Sequence, residues 1–344
     1  MTTYTCACGY TKTVKSQGDT ETYEIPDEPE TPTPVFKFDS KNLALESVLA
    51  FRFKGYLDKD TVSADAYMEF KIGNGRTVNV PISEATVDEK GRYVFTCYLN
   101  VLEVDEKISA IFHDGENTVE RQNPLSVTDY LDWVMEQHKD KDTDADKAAV
   151  RLVTAISNYV HYSQIALDYT HSDYTVGEGG TYHATENRSE VVRMTDEELA
   201  LFKVVKTTEN GFTSIKASSR SLILDDKTAI VMYLIPADAD YVPNVVITNN
   251  TTGQTVKDAT VEKQSDGRYK IVIPNLAAHM LDDKFTVSID GGKMTFTNLS
   301  ALSYAYSVFA NNDGSEKSKV HMDAVSAIYE YYKATVDYMA KVAN

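Results

Sequence analysis

The sequence predicts an α+β fold built as two tandem β-sandwich-like modules, each closed by a C-terminal helical hairpin. Three observations lead there. Apolar residues recur at every second position through two long stretches, the pattern of half-buried strands. Each stretch then changes to the three-to-four-residue period of an amphipathic helix. One run is also spelled twice, as "EKGRYVFTCYLN" at 89–100 and "SDGRYKIVIPNL" at 265–276.

With 344 residues, 42% of them hydrophobic, the chain can fill two compact cores. Its 34 Lys and Arg against 52 Asp and Glu give a net charge of −18. That field repels phosphate backbones and anionic lipid, so nucleic acid is excluded as an expected partner. No apolar run approaches the ~20 residues of a membrane span, and no charged-then-apolar leader opens the chain, so membrane insertion is not expected.

Residues 1–35 come first. "TTYTCACGYTKTV" is short, Thr-rich and strand-like around Cys6 and Cys8, and it passes into an acidic tract carrying Pro26, Pro29, Pro32 and Pro34. Such a tract buries too little apolar surface to offset its ordering entropy, and reads as a linker behind the remnant of a β-repeat. The Cys-x-Cys pair lacks the two further ligands a zinc site needs nearby.

The first module spans 36–170. "SKNLALESVLAFRFKGY" at 40–56 alternates, "MEFKIGNGRTVNV" at 68–80 reads strand-turn-strand with Gly75 supplying a positive φ, and "GRYVFTCYL" and "DEKISAIF" continue the strands. Cys97 shares an alternating face with Tyr93 and Phe95 and reads as a buried thiol acting as a small hydrophobe. "SVTDYLDWVMEQ" at 126–137 is a helix opened by Ser126. A longer helix then lines up Ala149, Leu152, Val153, Ile156, Tyr159 and Val160.

A connector, 171–211, holds "VGEGGTYHATENRSE" and a short helix, "TDEELALFKV", with Thr195 and Glu198 spaced as a capping box. The second module, 212–344, repeats the order. "SRSLILDDKTAIVMYLI" at 219–235 faces "SKNLALESVLAFRFKGY", "VVITNNTTGQTVKD" carries Gly253 in its turn, and "DDKFTVSI" at 282–289 matches "DEKISAIF". Six short strands are expected in each copy. "SALSYAYSVFANN" at 300–312 supplies the short helix, and Met322, Val325, Ile328, Tyr332 and Met339 are expected on the buried face of the last. Tyr329, Tyr331 and Tyr332 lie too close in sequence for all three to face inward.

Taken together, "LILDDKTAIVMYLI", "GRYKIVIPNLAAHMLDDKFTVSI", "ALSYAYSVF", "AIYEYYKATVDYM", "GRYVFTCYLN", "SVTDYLDWVM" and "LVTAISNYVHYSQIAL" resemble a duplicated module of unknown function from large secreted and surface proteins of gut Gram-positive, Clostridia-type bacteria. The likeness covers residues 36–344. The opening "TTYTCACGYTKTV" resembles the end of the short Cys-containing β-repeats in such proteins, although their spacing is Cys-x-x-Cys. The resemblance implies an exported, multidomain parent of which this chain is the C-terminal piece. It assigns no catalytic residue, ligand or cofactor.

The residues point the same way on chemistry. No two of the seven histidines have HExxH spacing, and there is no G-x-S-x-G, P-loop or G-x-G-x-x-G. Asp140, Asp142, Asp144 and Asp146 alternate like a calcium loop, but Lys147 and Val153 stand where Gly and Glu are needed. No catalytic set, metal site or cofactor is therefore expected. One aromatic cluster, at 159–183, offers ring faces for a ligand: Tyr169, Tyr174 and Tyr182 with His171. The expected function is that of a non-catalytic extracellular or cell-surface module. It would present neighbouring domains and bind a host or bacterial surface protein, with carbohydrate binding through those tyrosines as the alternative.

Overall fold

The computed structural model describes residues 2–5, 11–14, 36–44, 49–57, 62–73, 75–170, 187–224 and 228–342; for the first two segments, residues 168–170 and residue 218, it describes the backbone alone. The chain divides into two compact units, Met1–Pro34 and Val35–Asn344. In the first unit, β1 (Thr2–Thr5) pairs antiparallel with β2 (Thr11–Val14).

The second unit is mixed α+β with several antiparallel sheets. Its first half begins with β3 (Phe36–Ala44), β4 (Leu49–Leu57), β5 (Tyr67–Ile72) and β6 (Arg76–Pro81). It continues through β7 (Thr86–Val87), β8 (Tyr93–Leu99), β9 (Ile108–Asp114) and β10 (Asn117–Glu120). These eight strands form two sheets, in the orders β3-β4-β8-β7 and β10-β9-β5-β6. The strict alternation of Leu49, Phe51 and Phe53 on β4, and of Met68, Phe70 and Ile72 on β5, puts one face of each strand inward. The sheets meet through aromatic rings. Phe36 stacks on Phe112 at 4.7 Å, Phe53 lies 5.1 Å from Phe70, and Phe95 meets Phe112 edge-on at 5.9 Å.

Helices α1 (Val127–His138) and α2 (Asp144–Thr170) follow. The N-terminus of α1 is satisfied reciprocally: Asp129 N–H donates to the Ser126 hydroxyl, and Ser126 N–H donates to the Asp129 carboxylate. Tyr130 sets this helix on the sheet by meeting Phe51 edge-on at 5.8 Å. The predicted face of α2, from Ala149 to Val160, is buried throughout.

The short helix α3 (Asp196–Ala200) has the Thr195–Glu198 capping box. After it come β11 (Val205–Thr208), β12 (Ile215–Leu224), β13 (Thr228–Pro236), β14 (Val245–Asn249) and β15 (Gln254–Thr255). The remaining strands are β16 (Thr260–Lys263), β17 (Tyr269–Ile273), β18 (Phe285–Ile289) and β19 (Met294–Leu299). Their sheets run β12-β13-β17-β16 and β11-β19-β18-β14-β15. Helices α4 (Ser303–Ala310) and α5 (Glu316–Val342) complete the chain.

Four expectations are corrected. The first half has eight strands and the second, with β11, has nine, rather than six each: β7, β10, β11 and β16 are too short and polar to stand out by period, and β19 alternates only at Met294 and Phe296. The positive φ near the first hairpin falls at Gly73 (53°) and not at Gly75, whereas Gly253 (69°) has it as expected. The α4 helix starts at Ser303, three residues after the expected start, behind a turn in which Ser303 N–H donates to the Ser300 hydroxyl and Ser300 N–H to the Ser303 hydroxyl. Finally, Met339 is 45% exposed, while Tyr329 and Tyr331 are buried and Tyr332 packs partly buried against the core. All three tyrosines find cover because α5 is packed on several sides, as described next.

Candidate functional site

Helices α2 and α5 run antiparallel and touch along their length. Asn158 Nδ2 donates to Glu330 Oε2 at 3.2 Å, and Arg151 Nη2 to Asp337 Oδ2 at 2.5 Å. Next to the Asn158–Glu330 pair Tyr159 and Tyr331 stack, both buried, with centroids 5.4 Å apart. The other tyrosines of α5 look elsewhere: Tyr329 meets Phe202 edge-on at 5.6 Å, and the Tyr332 hydroxyl donates to Asp282 at 3.4 Å.

Residues 187–194 strap the two helices together. Ser189 N–H donates to Asn158 Oδ1 at 2.9 Å, Val192 N–H to Glu330 Oε1 at 3.0 Å, and Met194 N–H to Ser326 Oγ at 3.2 Å. Arg193 reaches Asp323 at 2.5 Å. The backbone donors of an irregular segment are thus satisfied by side chains of both helices. Beside the strap, Arg188 contacts the ring nitrogens of His161 at 2.6 and 3.1 Å. Burial, and then the Arg188 charge, push the His161 pKa down to about 4.

A cavity of about 530 Å³ lies where the two halves meet. The loop after β8 contributes Leu102, α2 contributes Leu167, β12 contributes Leu222 and Leu224, and α5 contributes Val325 and Ile328. Polar groups are few. Among the described residues, Tyr304, His321, Ser163, Ser221 and Asn100 line it, and none of those lining it is Lys or Arg. His321 Nδ1 lies 2.7 Å from the Lys317 carbonyl. A carbonyl only accepts, so Nδ1 carries a hydrogen, and Nε2 is the ring nitrogen left for another partner. Ser163 is 3% exposed. Its hydroxyl lies beside the Tyr159 phenol, yet neither oxygen makes a hydrogen bond of normal geometry.

Of the residues predicted to bind a ligand, His171, Tyr174 and Tyr182 lie outside the described residues, as does the side chain of Tyr169, whose backbone lies in the last turn of α2. Cys6 and Cys8 lie outside them too. Within the same aromatic stretch, Tyr159 is buried in the helix seam, and the Tyr162 hydroxyl accepts from Val191 N–H at 3.5 Å. Cys97 is buried, and burial pushes its thiol up to about 12.

The carboxylates between α1 and α2 are engaged locally. Asp146 lies 2.5 Å from His138 Nδ1 and accepts from Thr143, which with His138 holds its carboxyl below the usual range; Asp142 pairs with Lys147 at 2.6 Å. Among the described residues, no three His, Cys, Asp or Glu side chains group so as to hold a metal ion, and no helix is long and apolar enough to cross a membrane.

The cavity was not foreseen, because its walls are drawn from five separate elements and every apolar residue in them also reads as ordinary core. The one available signal was excess: Leu222 and Leu224, Val325 and Ile328 were all expected on buried faces, with nothing to say that two such faces would meet incompletely. No protein-family model matches this chain, and no match to a curated protein is found.

Proposed function

We propose that residues 36–344 are two copies of one β-sandwich and helical-hairpin module, fused into a rigid non-catalytic body that presents neighbouring domains of an exported surface protein and binds a protein partner there. Several features support the duplication. The sheet orders β3-β4-β8-β7 and β10-β9-β5-β6 correspond to β12-β13-β17-β16 and β19-β18-β14-β15, the last of which carries β11 as an extra edge strand. The Gly-Arg-Tyr turns correspond as well: Gly91 and Gly267 have φ of 75° and 83°, and Arg92 and Arg268 each bond an acid of their own turn, Asp88 and Asp266. A left-handed glycine and an arginine clamp before an alternating strand explain why the stretch is spelled twice.

The observation that carries the reading is the α2–α5 seam. "AISNY" at 155–159 and "AIYEY" at 327–331 occupy matching places in the two long helices. Asn158 bonds Glu330 and Tyr159 stacks on Tyr331, so corresponding residues meet each other, as across a two-fold interface. A body locked this way holds whatever is joined to it at a fixed separation, as a spacer requires.

Spin labels at Thr118→Cys and Glu262→Cys, in a background with Cys6 and Cys8 changed to Ser, test this directly. A single narrow distance distribution supports the rigid body. A broad distribution, from halves moving independently, rules out the spacer reading.

A further inference from the structure

We infer that the cavity between the halves is a binding site for a small, neutral, largely apolar molecule carrying a hydroxyl on one edge. Its volume, about 530 Å³, falls within the range of small-molecule sites, and it sits at the junction of two compact halves, where such sites concentrate.

The lining is asymmetric. Leu102, Leu222 and Leu224 make a wall of loop and strand that offers apolar contact. The opposite wall is helical and carries Ser163, His321 and Tyr304, while Asn100 and Ser221 lie on the loop and strand side. Arg151 pairs with Asp337 and Asn158 with Glu330, and the same antiparallel register sets Ser163 level with Val325 and His321 level with Leu167. The two polar groups therefore stand one helical turn apart, roughly 6 Å along the axis.

Ser163 is an almost wholly buried hydroxyl without a well-formed hydrogen bond, a state that costs free energy until a partner arrives. When the ring is neutral, His321 Nε2 accepts, since Nδ1 is committed to Lys317. A hydroxyl is the simplest ligand group that meets both needs, because it accepts from Ser163 or donates to His321. A carboxylate fits poorly. Among the described residues no Lys or Arg lines the cavity, and a chain of net charge −18 repels anions on approach.

The test titrates the full chain by calorimetry with 2-naphthol, naphthalene and 2-naphthoate, beside Ser163→Ala, His321→Leu and Leu167→Trp variants. Saturable one-to-one binding of 2-naphthol, about tenfold tighter than naphthalene and tighter still than 2-naphthoate, is expected. Ser163→Ala or His321→Leu should bring 2-naphthol down to the naphthalene level while leaving naphthalene unchanged. Leu167→Trp, checked for native circular dichroism, should exclude both by filling the cavity. Equal affinity for 2-naphthol and naphthalene overturns the hydroxyl assignment. No saturable binding by any of the three, or binding that folded Leu167→Trp retains, overturns the site.

Discussion

The rings of Tyr159 and Tyr331 lie 5.4 Å apart and 25° from parallel, each belonging to the same position of its long helix. Their stack is the middle of the contact that joins the two halves of the chain, and it dominates what is expected of variants there. Tyr331→Ala removes a fully buried ring and is expected to cost ~3–5 kcal/mol. Tyr159→Phe removes a buried hydroxyl that lacks a well-formed bond, so stability should hold within ~1 kcal/mol of wild type or rise. Urea denaturation of both variants checks the contrast.

Gly55 and Phe36 form a packing pair that the second half solves differently. A Cβ at Gly55 would lie 2.4 Å from the Phe36 ring and 2.5 Å from the Lys37 carbonyl oxygen. On the proposed duplication the corresponding residues are Ile215, smaller than Phe36, and Leu234, larger than Gly55, both buried. Gly55→Leu alone should therefore cost ~3 kcal/mol or fail to fold, the upper end of overpacking. Adding Phe36→Ile should restore at least ~1 kcal/mol, a coupling that a double-mutant cycle measures.

Cys97 should be silent to thiol reagents in the folded protein, because burial raises its pKa to about 12 and leaves almost no thiolate at neutral pH. In a Cys6→Ser, Cys8→Ser background, labelling by an aromatic disulfide reagent should appear only in denaturant. The labelling rate then reports how often the first half opens.

His161 makes stability depend on pH. Its folded pKa of about 4 lies below the ordinary 6.5, so between those values the unfolded chain binds the extra proton. Stability from this group is full above pH 6.5 and is lost as pH falls toward 4. Protonation would also set a second cation against Arg188, now 2.6 Å from the ring. The urea midpoint of wild type should fall between pH 6.5 and 4.5, and that of His161→Gln should fall less.

Much of the fold was legible in the residues, and the reason is local. Alternation on β4 and β5, the Ser126 and Thr195 caps, and the inward stripe of α2 each depend on neighbours within a few positions. What escaped depended on distant partners. Met339 continues the stripe of α5 yet is 45% exposed, while Tyr331, off that stripe, is fully buried because α2 covers its side of the helix. The cavity depended on distance most of all, since Leu102, Leu167, Leu222 and Val325 come from four places in the chain and carry no shared motif. The tyrosines that form a visible cluster in the sequence, at 169, 174 and 182, have their side chains outside the described residues.

Whether the halves are one cooperative body is decided most directly by urea unfolding followed with a probe in each. Trp133, the single tryptophan, is 56% exposed on α1 and reports the first half through its fluorescence. Amide protection of β13 and β17 reports the second. If the α2–α5 seam joins them as described, the two transitions coincide in midpoint and slope, and Tyr331→Ala shifts both together. Two separated transitions, with Tyr331→Ala moving only the second, would contradict the account.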